Sequence, residues 1–223
     1  MNNKVNYGHL QGKIVNINKV PFLDDVLAGN YFLGTMEVKR NERRCDYVPI
    51  IFSFTDLERH PMIINNGNFS INGSFRSLSV YEANRCQKFQ VFYPNRIVDL
   101  PKDDQNLIRR ILEKNNRINL IGRIEKTDKM KIFNSKKEMI NFTLDVSESH
   151  PKYDSSILCT AWGNEAKFIN MLDDGEEISI VGCIQSQRPY SLHNENPNYA
   201  FEIDDLKNTI SVLNIDINNE MEV

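Results

Sequence analysis

Histidines, cysteines and paired carboxylates are the side chains that catalysis or metal binding would draw on, and their spacing here argues against both. His9, His60, His150 and His193 are scattered and make no HExxH or similar cluster. Cys45, Cys86, Cys159 and Cys183 form no CxxC pair, so no zinc site is expected and a reduced, cytoplasmic setting is the default. The pairs Asp24-Asp25, Asp103-Asp104, Asp173-Asp174 and Asp204-Asp205 fall in turns, a linker or strand ends, where solvated turn charge explains them better than acid–base work. Cys159 reads as core, and Cys183 as outward-facing with no helix N-terminus to activate it. No glycine-rich phosphate loop or nucleophile elbow is present. The expectation is a chain that is not an enzyme and uses no cofactor and no metal.

Cations beside flat rings suggest a different chemistry. Lys129, Lys131, Lys136 and Lys137 surround Phe133 in the polar stretch KTDKMKIFNSKK, and Lys39, Arg40, Arg43 and Arg44 crowd a second turn. Trp162 is the single tryptophan. Cations along a backbone path and rings on which bases stack are what sequence-tolerant binding of a nucleic-acid single strand requires. The net charge of −3 neither demands nor forbids a polyanionic partner, so local placement of charge decides. If Ile157, Cys159 and Ala161 point inward on a strand, Leu158, Thr160 and Trp162 point outward, which puts the indole on the surface. The same parity over 69–76 turns Ser70, Asn72, Ser74 and Arg76 outward and leaves room for a strand to lie across them.

The elements that would carry these residues occur twice. FSINGSFRSLSVY (69–81) and ISIVGCIQSQRPY (178–190) align without a gap at an offset of 109. LQGKIV (10–15) matches LIGRIE (120–125) at 110, and PIIFSF (49–54) matches ILCTAW (157–162) at 108. A period of this size is a small domain rather than a solenoid repeat. In the first copy the strand-like stretches are 9–20, 31–40, 45–54, 69–80 and 88–98, with a short crossover at 55–67 limited by Pro61. In the second they are 117–125, 139–148, 155–163, 177–191 and YAFEIDDLKN (199–208), with a helix at 164–175 that stops at Gly175. Five strands with a helix between the third and fourth predict an all-β chain with short helices, built as two tandem five-stranded Greek-key barrels of the OB-fold type. Gly12, Gly73, Gly122 and Gly182 sit inside strands, where an isolated glycine marks a bulge or bend. Residues 1–100 are read as the first barrel, 101–116 as a linker, 117–214 as the second barrel and 215–223 as a short acidic tail.

The second half resembles the bacterial single-stranded DNA-binding protein family over about 117–207. The residues that carry the likeness are LDVSES (144–149), Ala161-Trp162-Gly163 followed by a helix, ISIVGCIQSQRPY, and the YAFEI stretch. The first half keeps INGSFRS but has Phe54-Thr55 in place of Trp162-Gly163, and resembles a divergent copy. The whole is similar to the tandem-barrel members found in some Gram-positive bacteria and mobile elements. The resemblance implies binding of single-stranded DNA in replication, repair or mobile-element transfer. It implies stacking at Trp162 and Tyr190, with His150 where the family often has a ring. Arg76 and Arg188 are candidate phosphate or base contacts, and Phe54, Tyr81 and Tyr47 are the first-copy candidates. One-barrel members commonly form tetramers, so a tandem chain is expected to form a homodimer. Members usually end in a long linker and an acidic tip that recruits replication and repair proteins. This sequence ends IDINNEMEV, which puts that recruitment in doubt.

Two other readings share these features. An OB-fold protein that binds RNA differs by contacts to the 2′-hydroxyl, which the residues do not reveal. A primosome or conjugation adaptor would carry an apolar patch with few basic residues, against which the lysines of 129–137 argue. No apolar run approaches the ~18 residues of a membrane span, and MNNKVNYGHLQGK lacks the pattern of a secretory signal.

Overall fold

The computed structural model describes residues 6–19, 30–41, 44–82, 85–101, 115–126, 130–132, 137–146, 156–186 and 208–217. In chain order these form β1 (Asn6–Lys19), β2 (Tyr31–Asn41), β3 (Arg44–Ser53), α1 (Phe54–Arg59), a 3-10 turn (Pro61–Ile63), β4 (Asn68–Glu82) and β5 (Arg85–Leu100). The same order returns as β6 (Asn116–Lys126), the short β7 (Lys131–Ile132), β8 (Glu138–Asp145), β9 (Ser156–Trp162), α2 (Asn164–Met171), β10 (Glu177–Ser186) and β11 (Asn208–Ile217).

Alternation of apolar and polar side chains drives the strands. Ile178, Ile180 and Ile184 of β10 are fully buried, while Ser179, Val181 and Cys183 between them are half-buried. β8 repeats this with Ile140, Phe142 and Leu144. The inward rows close two rings. The first runs β2-β3-β5-β4-β1 and is shut by β1 pairing with β2. The second runs β6-β10-β11-β9-β8 and is shut by β6 pairing with β8. In each ring the third strand runs parallel to the fifth, with Ile50 opposite Phe92 and Ile210 opposite Cys159. The other pairings are antiparallel. This is the OB-fold topology, twice.

A single strand serves three neighbours in each ring. β1 meets β6 over Asn6–Leu10, β4 over Gly8–Lys13 and β2 over Lys13–Lys19. β6 does the same with β1 over Asn116–Leu120, β10 over Ile118–Arg123 and β8 over Arg123–Lys126. At the change of partner stand Gly12 and Gly122, where an added Cβ would overlap the backbone carbonyls of Glu37 and Asp145 respectively. The bulges between Asn72 and Gly73 and between Val181 and Gly182 lie at equivalent places in the two copies.

The rings join through β1 and β6, antiparallel, with Asn6 opposite Leu120, Gly8 opposite Ile118 and Leu10 opposite Asn116. The pairing is symmetric about Gly8 and Ile118. Its flanks carry identical clamps. Asn6 donates to the carbonyl of Phe75 (2.6 Å) and accepts from its N–H (3.0 Å). Asn116 treats Ile184 in the same way, at 2.7 and 2.8 Å. Asn115 adds its carbonyl as acceptor for the Gln11 N–H at 2.7 Å and donates its amide to the Lys39 carbonyl. The buried apolar side chains of both rings form one continuous cluster.

Three expectations need adjustment. The repeat offset in the third strand is 109, not 108. Val48, Ile50 and Phe52 are core in β3 as Ile157, Cys159 and Ala161 are in β9, so Ser53 stands where Trp162 does. A slip of one residue reverses every side chain, and Ile-rich text at both parities concealed it. The strand that pairs with β10 and β9 is Asn208–Ile217, which places Ile210 and Val212 inward and extends three residues into the expected tail. Most of the expected fifth strand, 199–207, lies outside the described residues, as do linker residues 102–114. The third-strand helix begins at Phe54 rather than after it, because Ser53 caps it: its hydroxyl accepts from the Asp56 N–H, and the Asp56 carboxylate accepts from the Ser53 N–H.

The three-partner first strand yields a prediction. Gly122→Ala places a methyl against a backbone carbonyl that cannot rotate away, so it destabilises the fold by about 1–3 kcal/mol. Urea denaturation of the full chain measures it, and an unchanged midpoint contradicts the close approach.

Candidate nucleic-acid interface

Trp162 ends β9 on its outward row, 40% exposed. Behind it Thr160 is buried and tied to its neighbours, its hydroxyl 2.9 Å from the Asn141 amide oxygen and 3.0 Å from the Thr209 hydroxyl. Gly163 follows at φ 60°, a left-handed conformation that bulkier residues resist. It turns the chain into α2, with its N–H bonded to the Glu138 carbonyl at 2.9 Å. The strand-to-helix corner therefore sets the base of the indole. Met139 lies opposite Trp162 across β8, and Lys131 lies opposite Met139 across β7. Lysine, thioether and indole thus form one cross-strand row, with Lys131 exposed and Lys137 exposed on the same hairpin. A cation beside a ring and a polarizable shelf suits a base above and a phosphate at the side. Sequence reasoning missed Met139, because only the register of β8 against both neighbours places it there.

The first barrel offers a ring one residue later. Phe54 is 52% exposed at the first position of α1, next to the capping serine that replaces tryptophan. Tyr47, a candidate from the sequence, is only 9% exposed. Desolvation, then the Glu37 carboxylate and Cys45, push its phenol pKa up. Its place among packed side chains removes most of its face from solvent. Its backbone N–H meets the Ser186 hydroxyl of the second barrel at 3.5 Å.

Among the first-barrel cations, Arg40 pairs with Asp46, with Nε 2.8 Å from Oδ2 and an end nitrogen on Oδ1. Hydrogen bonding to Asp46 raises its pKa most. Asp46 is 1% exposed and also accepts from the Ser186 N–H at 3.1 Å, across the seam between barrels. Arg40 is thus a structural partner as well as a surface cation. Arg76 donates Nε to the Ser74 hydroxyl at 2.9 Å and lies 5.1 Å over the Tyr93 ring. Tyr93 is a second residue the sequence did not single out; its signal is its place opposite Ser74 in the ladder. Arg44 is exposed.

Lys129, Phe133, Lys136, His150, Arg188, Tyr190 and Arg43 lie outside the described residues, as does the side chain of Tyr81. Burial pushes the thiols of Cys159 and Cys183 up, so both stay protonated at neutral pH. Among the described residues no cluster of three or more metal-binding side chains exists, and no helix is long and apolar enough to cross a membrane.

Asp46→Ala leaves a guanidinium and a backbone N–H without their shared acceptor. The expected loss is about 1–3 kcal/mol for unsatisfied buried donors. Arg40 is 33% exposed, so water takes up part of its share. A chemical-denaturation midpoint equal to wild type contradicts the seam contact.

Residues 115–208 match the model of the Single-strand binding protein family. No curated protein matches the chain. Two solved structures of the single-stranded DNA binding protein from Thermus aquaticus are similar over nearly the whole length. A deletion mutant has a TM-score of 0.64 at 11% identity, covering 98% of this chain and 96% of that one. The wild-type protein has a TM-score of 0.63 at 10% identity, covering 98% and 95%. At such identity these two establish the shared fold of both barrels, while the family match is carried by the second. From β6 to the first residue of β11, this chain is similar to the Single-strand binding protein family.

Proposed function

We propose that the chain binds single-stranded DNA without strong sequence preference, as a binding protein rather than an enzyme. The observation that carries this reading is the row Lys131–Met139–Trp162 on the outward face of the family-matched barrel. Exposed lysines and arginines capture the phosphate backbone by releasing its condensed cations. Bases then stack on Trp162 and, in the first barrel, on Phe54. Lys129, Phe133, Lys136, His150, Arg188 and Tyr190 extend the path in the second barrel, and Arg43, Arg44, Arg76 and Tyr81 in the first. Tyr47 and Arg40 contribute less, since one is buried and the other is committed to Asp46. The role is protection of unwound DNA in replication, repair or mobile-element transfer, in the cytoplasm.

Titration with oligo(dT) while following Trp162 fluorescence tests this. Quenching is expected, with affinity that falls as salt rises and a log–log slope clearly below zero. Trp162→Ala is expected to weaken binding by about 1–3 kcal/mol, while its thermal melt stays close to wild type because the ring is partly exposed. Unchanged affinity together with a lowered melting temperature would make the indole structural. Competition by oligo(U) equal to oligo(dT) would move the substrate from DNA to nucleic acid in general.

The proposal includes a homodimer that offers four barrels to one strand, because linked sites raise effective concentration without new contacts. Light scattering is expected to give about twice the 25.9 kDa chain mass. A value at the chain mass, unchanged by oligo(dT), removes the dimer.

A further inference from the structure

Most of the β1–β6 seam is self-complementary. Asn6 and Asn116 occupy equivalent positions and make the same pair of bonds. Tyr7 opposite Asn119 and His9 opposite Arg117 are related by the same symmetry. The backbone ladder and the asparagine clamps would form equally well if two first barrels, or two second barrels, met edge to edge. At the centre of symmetry the two copies differ: Gly8 faces Ile118. Both are buried. A Cβ on residue 8 would overlap Cδ1 of Ile118 and approach the Phe92 ring to 2.7 Å. The isoleucine end therefore occupies the space that the glycine leaves empty.

We infer that Gly8 and Ile118 form a size-matched lock that makes the first-strand edge of each barrel specific for the other barrel of the same chain. Two like edges fail at this one position. Glycine against glycine leaves a hole beside Phe92, and interiors tolerate such voids poorly. Isoleucine against isoleucine puts two side chains where one fits, since Ile118 already occupies the site of an opposing Cβ. A shared linker supplies the opposite edge at high effective concentration. The first-strand edges of both barrels are thereby consumed inside the chain, and further assembly must use another face. Specificity comes from the repulsive pairings as much as from the favoured one.

The test uses the full chain and no nucleic acid, so its outcome is independent of DNA binding. Native-state hydrogen exchange is measured for Gly8→Val, Ile118→Ala, Phe92→Leu, and Gly8→Val combined with each of the other two. Gly8→Val is expected to speed exchange in 6–10 and 116–120 by at least about tenfold, the scale of couplings between touching residues. Interior strands β3 and β9 should stay protected, which separates undocking from unfolding. Ile118→Ala should restore most of that protection, because it removes the atom that residue 8 would strike. If Phe92→Leu rescues Gly8→Val and Ile118→Ala does not, the glycine serves packing within the first barrel and the lock is wrong. Unchanged exchange in Gly8→Val also overturns it. Should Gly8→Val fail to fold alone, recovery in the Ile118→Ala background supports the lock, failure there overturns it, and Gly8→Ala supplies the milder single variant.

Discussion

The joining of the two barrels hangs on the hydrogen-bonded ladder between β1 and β6. A barrel closes its own sheet, but its long first strand extends beyond closure and exposes backbone groups at one end. Here each barrel covers the other's overhang. The cost of leaving such groups unpaired in a buried seam is of order 1–3 kcal/mol each, so the pairing dictates how the barrels sit. The asparagine clamps extend the principle from backbone to side chain. Each amide supplies one donor and one acceptor to a single residue of its own barrel's fourth strand, satisfying that residue's C=O and N–H at once.

Because the seam is symmetric, the strand-to-helix corners of the two copies occupy equivalent places in their barrels. Their chemistry differs by the register of one residue. In the second barrel the corner position is tryptophan followed by a left-handed glycine. In the first it is a serine that caps α1, and the ring moves onto the helix as Phe54. Capping and stacking compete for the same position, since a side chain that accepts from a helix N–H cannot also be a flat apolar ring. The first copy chose the cap and kept an exposed aromatic beside it.

The seam also reassigns charge. Arg40 in the sequence is one of four cations in a turn and invites a phosphate. In the fold it meets a carboxylate that is nearly inaccessible to solvent and is shared with the Ser186 N–H of the other barrel. Asp46 is held there by Arg40, six residues before it, and by Ser186, 140 residues after it, a constraint no local pattern announces. Arg76 differs: within the first barrel it stays on the outward row, its Nε on the Ser74 hydroxyl and its guanidinium over the Tyr93 ring.

The sequence by itself determined the class of the fold and its duplication. Period-two burial in 69–76 and 178–184, glycines at equivalent strand positions, and the helix after the third strand are local properties, and each survives in the structure. The outward parity of Trp162 was likewise legible, because strand alternation fixes it once one inward neighbour is known. Tertiary structure alone decided the rest. It set the true offset in the third strand, since both parities of PIIFSF look apolar and only pairing with β2 and β5 selects one. It chose Asn208–Ile217 as the partner of β10. It put Met139 beside Trp162, buried Tyr47, and paired Arg40 with the buried Asp46. Each of these depends on a contact between residues distant in the chain, and such contacts exist only once two closed sheets are packed against each other.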